Sequence, residues 1–311
     1  MSAPQSTSRT KRLALPIAAL VLLAAGAAWL VFRAPVALPP PPPLVQVSEP
    51  EVQEEVALRV LEVSGIAEIR ESAGQWRPAQ PGEELPAASS LRTLAGRAIL
   101  ASGERYEVVL EPGTEVSTQE LTHSISRLLL ERGMATANVR EGQHLFEVSA
   151  RGSDAIARTS DGRFTVSNDG RGTVAVATTD GAVELSGGGR LVVVRAGQQS
   201  LVRDGAGPSD PSPIPGSVLL RVQWPADGTL RRKRLVITGV TSPGAHLAID
   251  DQFTTADADG RFEAEVGLRE GENALNVRAR DVGGATREAK REIRVDTTAP
   301  KVGLDRDLWG N

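Results

Sequence analysis

The chain has 311 residues, 40% hydrophobic and 24% charged, enough for about two domains. Its 35 basic and 39 acidic residues leave a formal net charge of -4, and aromatics make up only 3%. There is thus neither a general basic field nor a base-stacking platform to hold nucleic acid. Cysteine is absent, which excludes disulfides, thiolate nucleophiles and cysteine-ligated zinc, while 31 glycines and 20 prolines favour a turn-rich β protein.

Residues 1–12 read as a short cytoplasmic stub. The run from Leu13 to Phe32, LALPIAALVLLAAGAAWLVF, has 20 residues and no charge. As a helix it would rise ~30 Å, the thickness of a bilayer's hydrocarbon core. Arg9, Lys11 and Arg12 precede it and Arg33 follows, so the positive-inside rule places the N-terminus in the cytoplasm and the rest outside. A cleaved signal peptide is the alternative, since Ala24–Ala28 supplies small residues. The apolar stretch is longer than a signal core of ~7–15 residues, which favours an uncleaved anchor over residues 13–33. Residues 34–55 then form a spacer, with Pro39–Pro43 in polyproline II and an acidic continuation.

From Val56 to Arg203 the pattern is short alternating runs broken by glycine. Val56, Leu58 and Val60 alternate, then Ile66 and Ile69, with Gly65 read as a break. YEVVLEPGTEVS reads as strand, turn at Pro112-Gly113, strand. The stretch from Leu121 to Glu131 reads either as an amphipathic helix, with Leu121, Ile125, Leu128 and Leu129 on one side, or as a strand over Arg127–Arg132 turning at Gly133. Its strand-like flanks favour the strand. Four further strand-like runs lie between Arg163 and Val202, punctuated at Asp169-Gly170, Asp180-Gly181 and Gly187–Gly189. Asp-Gly pairs begin at 161, 169, 180, 204, 227 and 259, a hairpin signal.

The segment LRTLAGRAILASGERYEVVLEPGTEVST, Leu91 to Thr118, resembles the FecR-type periplasmic domain. LLLERGMATANV, FTVSNDGRGTVAVATTDGAVELS and VVVRAGQQSLV match that family's later strands and closing turn, so the resemblance spans about Val56 to Val202. It implies an all-β domain and a relation to sigma regulators. In those regulators a sizeable cytoplasmic segment handles the sigma factor. Here only some 12 residues precede Leu13, too few to present a standard protein interface, so direct sigma-factor control is not expected.

Residues 204–217, DGAGPSDPSPIPGS, read as a linker, followed by a second β unit over 218–297 and a tail over 298–311. Thr238-Gly239, Pro243-Gly244-Ala245, Asp259-Gly260-Arg261-Phe262, Gly271-Glu272-Asn273 and Asp281 resemble the immunoglobulin-like modules of bacterial surface proteins and glucodextranase domain B. The resemblance implies a β-sandwich. It names no ligand.

Asp257, Asp259 and Gly260 raise a chemical question: half a calcium loop, or a turn? Placing the two aspartates as second and third ligands of a twelve-residue loop puts Thr255 first and Val266 twelfth, where an oxygen ligand and a glutamate are required. A turn is therefore expected, with Phe262 as the first inward residue of the next strand. His123, His144 and His246 show no paired-ligand spacing and read as β-surface residues. No nucleophile elbow, phosphate loop or dinucleotide fingerprint is present, and no cofactor, metal site or catalytic residue is nominated. Arg231, Arg232, Lys233 and Arg234 form the densest basic run. They could contact anionic lipid, cell-wall polymer or an acidic partner, or simply discourage aggregation at an edge strand.

The expected fold is thus all-β: a FecR-like β domain plus an immunoglobulin-like β-sandwich, preceded by one transmembrane helix. The expected location is the bacterial inner membrane, single-pass, with the bulk periplasmic. The expected role is non-enzymatic, binding or scaffolding an envelope protein or cell-wall polymer, without nucleic acid. A FecR-type signalling component or an accessory carbohydrate-binding subunit are the alternatives.

Overall fold

The computed structural model describes residues 57–72, 74–226 and 229–298. The expected stub, anchor and spacer, and the tail beyond Thr298, lie outside them. Every regular element among the described residues is a strand, and no helix there is long and apolar enough to cross a membrane. The first domain comprises β1 (Leu58–Glu71), β2 (Arg77–Pro78), β3 (Glu84–Leu85), β4 (Ser89–Ser102), β5 (Tyr106–Leu110), β6 (Glu115–Leu121), β7 (Ile125–Val139), β8 (Leu145–Ala150), β9 (Ile156–Thr159), β10 (Gly162–Asn168), β11 (Val174–Gly187), β12 (Arg190–Arg195), β13 (Gln198–Val202) and β14 (Ser212–Pro213). The second comprises β15 (Leu220–Gln223), β16 (Thr229–Leu230), β17 (Arg234–Thr241), β18 (His246–Ile249), β19 (Gln252–Thr255), β20 (Arg261–Gly267), β21 (Gly271–Arg280) and β22 (Thr286–Val295).

Alternation builds these strands. In β5, Tyr106, Val108 and Leu110 are buried while Glu107 is exposed; in β21, Leu275, Val277 and Ala279 turn inward. The first domain is one 14-stranded sheet that closes over a single core, in which Leu58, Leu100 and Val108 meet Leu91, Leu128 and Phe146. It can do so because its longest strands bend. β7 shows this by arithmetic. Leu145 pairs with Ile125 in a parallel ladder, yet six residues from Val139 to Leu145 span at most ~21 Å. A straight 15-residue β7 would carry Val139 about 46 Å from Ile125. The strand must therefore fold over on itself.

The bend falls at Gly133, whose φ is +96°. Residues before it pair with β6 and β8, and residues after it with β5 and β10. The backbone groups exposed by the bend are bound by side chains, as burial requires. The Thr114 hydroxyl accepts from Met134 N and donates to Met134 O, each at 3.0 Å. The Asn168 amide donates to the carbonyls of Leu130 (2.8 Å) and Glu131 (3.1 Å). β4 and β11 divide their partners in the same way, and β1 follows β4 along its length, giving one layer through β1, β4, β5, β7, β10, β11 and β13, and another through β1, β4, β6, β7, β8, β9, β11 and β12.

Three expectations need correction on this account. Gly65 does not end a strand; it pairs with Gly96 inside β1 and β4. Asp180-Gly181 is not a hairpin turn but lies within β11. Between Leu121 and Glu131 the favoured strand reading holds and the helical alternative does not: β6 ends at Leu121 and β7 begins at Ile125, with Leu128 and Leu130 buried and Leu129 less so. Nor does β7 turn back at Gly133, since it continues to Val139.

The second domain is a sandwich of a three-stranded sheet, β15-β17-β20, and a five-stranded sheet, β16-β22-β21-β18-β19. Leu235, Ile237, Phe262 and Val266 of the first meet Leu247, Ile249, Leu275, Val277 and Ile293 of the second in a core of their own. Residues 204–217 follow the surface of the first domain: Ser212 and Pro213 pair with β13, and the Ser200 hydroxyl donates to Ser209 O at 2.8 Å.

Gly133 gives a test. A Cβ there would lie 2.6 Å from Thr114 Cα, whereas one at Gly103, also at positive φ, would meet nothing within 4 Å. Gly133→Ala should lower the unfolding free energy in urea by about 3 kcal/mol or more. Gly103→Ala should lower it by about 1–2 kcal/mol, the backbone penalty alone.

Candidate functional site

The outer face of the first layer is not bare; the second domain packs on part of it. Small residues allow the approach. A Cβ at Gly113 would run into the Phe253 ring, and one at Gly244 into the Ala175 methyl. Met134, Ala175, Ala177 and Val282 form a third buried cluster at this seam, with Leu201 and Ile214 against it. Polar bonds fix its register: the buried Ser167 hydroxyl donates to Gly244 O at 2.6 Å, and Arg203 Nη1 donates to Asp259 Oδ1 at 3.0 Å.

Beside the seam the same sheet face is open and floors a groove of about 610 Å³. Ile99, Val109, Thr136 and Thr165 succeed one another in register across β4, β5, β7 and β10. The Thr136 and Thr165 hydroxyls lie 2.9 Å apart. Arg97, Arg163 and Glu62 rim the floor, and Arg280 with Gly283 and Gly284 forms the wall contributed by the second domain. A contiguous recess of about 430 Å³ adds Pro112, His246 and Arg278.

Glu111 ties groove to seam. It is only 5% exposed, accepts from Arg97 Nε at 2.9 Å, and lies 3.7 Å from Arg280 Nε of the other domain. That second distance is an ion pair beyond hydrogen-bond reach, and Arg280 Nε has no hydrogen-bond partner among the described residues. Arg278 pairs with Glu288 at 3.7 Å. Arg163 is exposed and stands directly opposite exposed Asp180 in the β10–β11 ladder. Four guanidiniums and two carboxylates therefore line the groove and recess, a locally cationic surface on a chain of formal charge -4.

The residues singled out from sequence lie elsewhere. Arg231–Lys233 bridge β16 and β17, and all four basic residues are exposed. Lys233 pairs with Glu270 (3.5 Å) and Arg234 with Glu265 (3.3 Å). Arg234 opens β17, the central strand of its sheet, whereas Arg231–Lys233 directly follow β16, an edge strand of the other. Asp257, Asp259 and Gly260 form a turn, and it joins β19 in one sheet to β20 in the other, so it is not a hairpin. Asp257 Oδ1 accepts from the backbone N–H groups of Asp259 (2.9 Å) and Arg261 (2.8 Å), and Phe262 follows inward. Among the described residues no cluster of three or more His, Cys, Asp or Glu is placed to hold a metal.

The histidines depart most from expectation: His144 and His246 are buried, at 8% and 5% exposure. His144 stacks on Tyr106 with ring centroids 5.6 Å apart and meets the His123 carbonyl at 3.0 Å. His246 stacks on Phe253 at 6.2 Å, beside Pro112 and across β18–β21 from Arg280. Burial pushes both imidazoles below their ordinary value; for His246, the Pro112 backbone and Glu111 oppose the shift and Arg280 adds to it.

Solved structures show a partial likeness. Two crystal structures of a candidate anti-sigma factor from Parabacteroides distasonis are 19% and 20% identical to this chain, each with a TM-score of 0.34, covering 39% of this chain and 57% of that one. A polysaccharide lyase is 9% identical with a TM-score of 0.19, covering 78% of this chain and 40% of that one. The chain thus spans little more than half the length of the anti-sigma factor. No family model and no curated protein matches.

Two outcomes are expected. His246 is held neutral in the fold but titrates near about 6.5 when unfolded, so its contribution is complete above that pH and is lost as pH falls below it toward the depressed folded value. The melting temperature should drop between about pH 7 and 5, and less steeply for His246→Gln, as calorimetry at each pH would register. Asp257→Ala should reduce stability in urea by about 1–2 kcal/mol through loss of the turn bonds, while calcium leaves wild-type melting unchanged.

Proposed function

We propose that the chain is a non-enzymatic binding or scaffolding protein of a bacterial envelope. In this reading Leu13–Phe32 holds it in the inner membrane, and the two β domains stand in the periplasm, where they recognise an envelope protein or cell-wall polymer. One observation carries the proposal. Two separately cored β domains meet across a packed, hydrogen-bonded seam and together frame an open groove lined by side chains of both. Its volume falls in the ~300–1,000 Å³ range of ligand sites, and its floor is held by paired strands, which suits recognition by a preformed surface.

A second reading is a FecR-type signalling component that senses a periplasmic cue and passes it through a separate membrane partner. The likeness of Leu91–Thr118 to that family supports it. An accessory carbohydrate-binding subunit has less support. Of the described tryptophans, Trp76 lies between the Arg70 and Arg92 guanidiniums, at 4.5 and 4.2 Å, and Trp224 packs against the second core.

The test is site-specific photocrosslinking in living bacteria, with the reactive residue placed in the full chain at Thr136 in the groove, at exposed Ile66, or at Arg232 in the basic run. Adducts with an envelope protein or peptidoglycan fragments at any of these positions are expected. An adduct with a sigma-associated membrane protein would favour signalling. Absence of ultraviolet-dependent adducts at all three positions would overturn the binding reading.

A further inference from the structure

The groove's chemistry narrows what it binds. A guanidinium carries five N–H donors in a planar fork that matches a carboxylate. Arg97 directs Nε to Glu111 at 2.9 Å, Arg280 Nε is buried and lies 3.7 Å from the same carboxylate, and exposed Arg163 faces Asp180 across the β10–β11 ladder. Three guanidiniums line the groove against two lining carboxylates, Glu62 and Glu111. Buried Glu111, shared by Arg97 and Arg280, shows which acceptor two of these three groups take when one is within reach. Between them lie the Thr136 and Thr165 hydroxyls, which can donate to or accept from a polar backbone.

We infer that the groove is a binding site for an acidic peptide segment, its carboxylates taken by Arg97, Arg163 and Arg280 and its backbone lying along Thr136 and Thr165. A peptide is favoured over an anionic glycan because, among the described residues, no Trp, Tyr or Phe lines the groove or its recess, leaving sugar rings no rigid apolar face to stack on. The ligand lies on a sheet face and not at a sheet edge, so charge and hydroxyl contacts carry recognition, and added ladder bonds do not. Affinity should fall as salt rises. This deepens the binding-protein reading and rests on it.

The experiment is fluorescence anisotropy at low ionic strength with detergent-solubilised full-length chain, using labelled tetraglutamate as probe and labelled tetralysine and oligogalacturonate as comparisons. Tetraglutamate should bind and tetralysine should not. Arg163→Ala, at an exposed residue in neither core, should weaken tetraglutamate about tenfold, the scale of one charge-assisted hydrogen bond, and Arg163→Glu more. Unchanged melting of both variants would confirm intact folding. Failure of tetraglutamate to bind, or equal binding by Arg163→Ala, overturns the inference. Binding of oligogalacturonate in preference to tetraglutamate also overturns it and identifies an anionic glycan instead. Crosslinks at Thr136 that persist after such a failure would leave the general binding reading standing, whereas loss of both would remove both.

Discussion

The constraint on which the rest depends is that a long strand must pass between two layers. Strands of 14 and 15 residues span about 43–46 Å when straight, too long to cover one face of a compact domain. Bending lets each long strand serve both layers, so one set of alternating side chains fills one core from two sides. Thr114 and Asn168 are the counterpart of that geometry. A bend inside a sheet frees backbone groups, and a buried hydroxyl and amide hold them. Without such partners each freed group would cost about 1–3 kcal/mol.

The bent sheet also determines where a ligand could lie. Its first layer has an outer face that is apolar and small near Met134, Ala175 and Ala177, and polar near Thr136 and Arg163. The second domain takes the apolar half, where Gly113 and Gly244 let its backbone come close. The polar half stays open. Groove and seam are thus two parts of one surface, separated by the buried carboxylate of Glu111, which faces a guanidinium from each domain.

Much of the fold was legible because alternation and glycine punctuation are local signals. β5 and β6 follow from their residues, and the turn at Asp257–Gly260 follows from the missing loop ligands. The errors share a cause. Gly65 reads as a break and Gly133 and Asp180-Gly181 as turns because glycine and Asp-Gly commonly end strands, yet a glycine that bends a strand within a sheet has the same local sequence. Only the partners across the ladder distinguish the two. The groove was illegible for a related reason: Arg97, Arg163 and Arg280 are up to 183 residues apart and converge only through the layer order and the seam. The local run Arg231–Arg234 drew attention instead, although two of its four charges are already paired. The histidines were misplaced because single-residue burial depends on packing from the other domain, which no alternation pattern encodes.

Groove and seam cannot vary independently. Arg280 walls the groove and, one strand over, lies directly across from His246, which is buried against Phe253; Phe253 in turn packs where Gly113 leaves room. Pro112 separates Gly113 from Glu111, the residue that Arg97 holds from the groove side. The path from ligand-facing guanidinium to domain contact therefore runs through touching or bonded neighbours on strands with few alternative positions. A substitution that loosens the seam would move Arg280 and change the groove, while Arg163, on β10 opposite Asp180 of β11, can change the groove and leave the seam alone. That asymmetry separates recognition from architecture, and it follows from which sheet carries each residue.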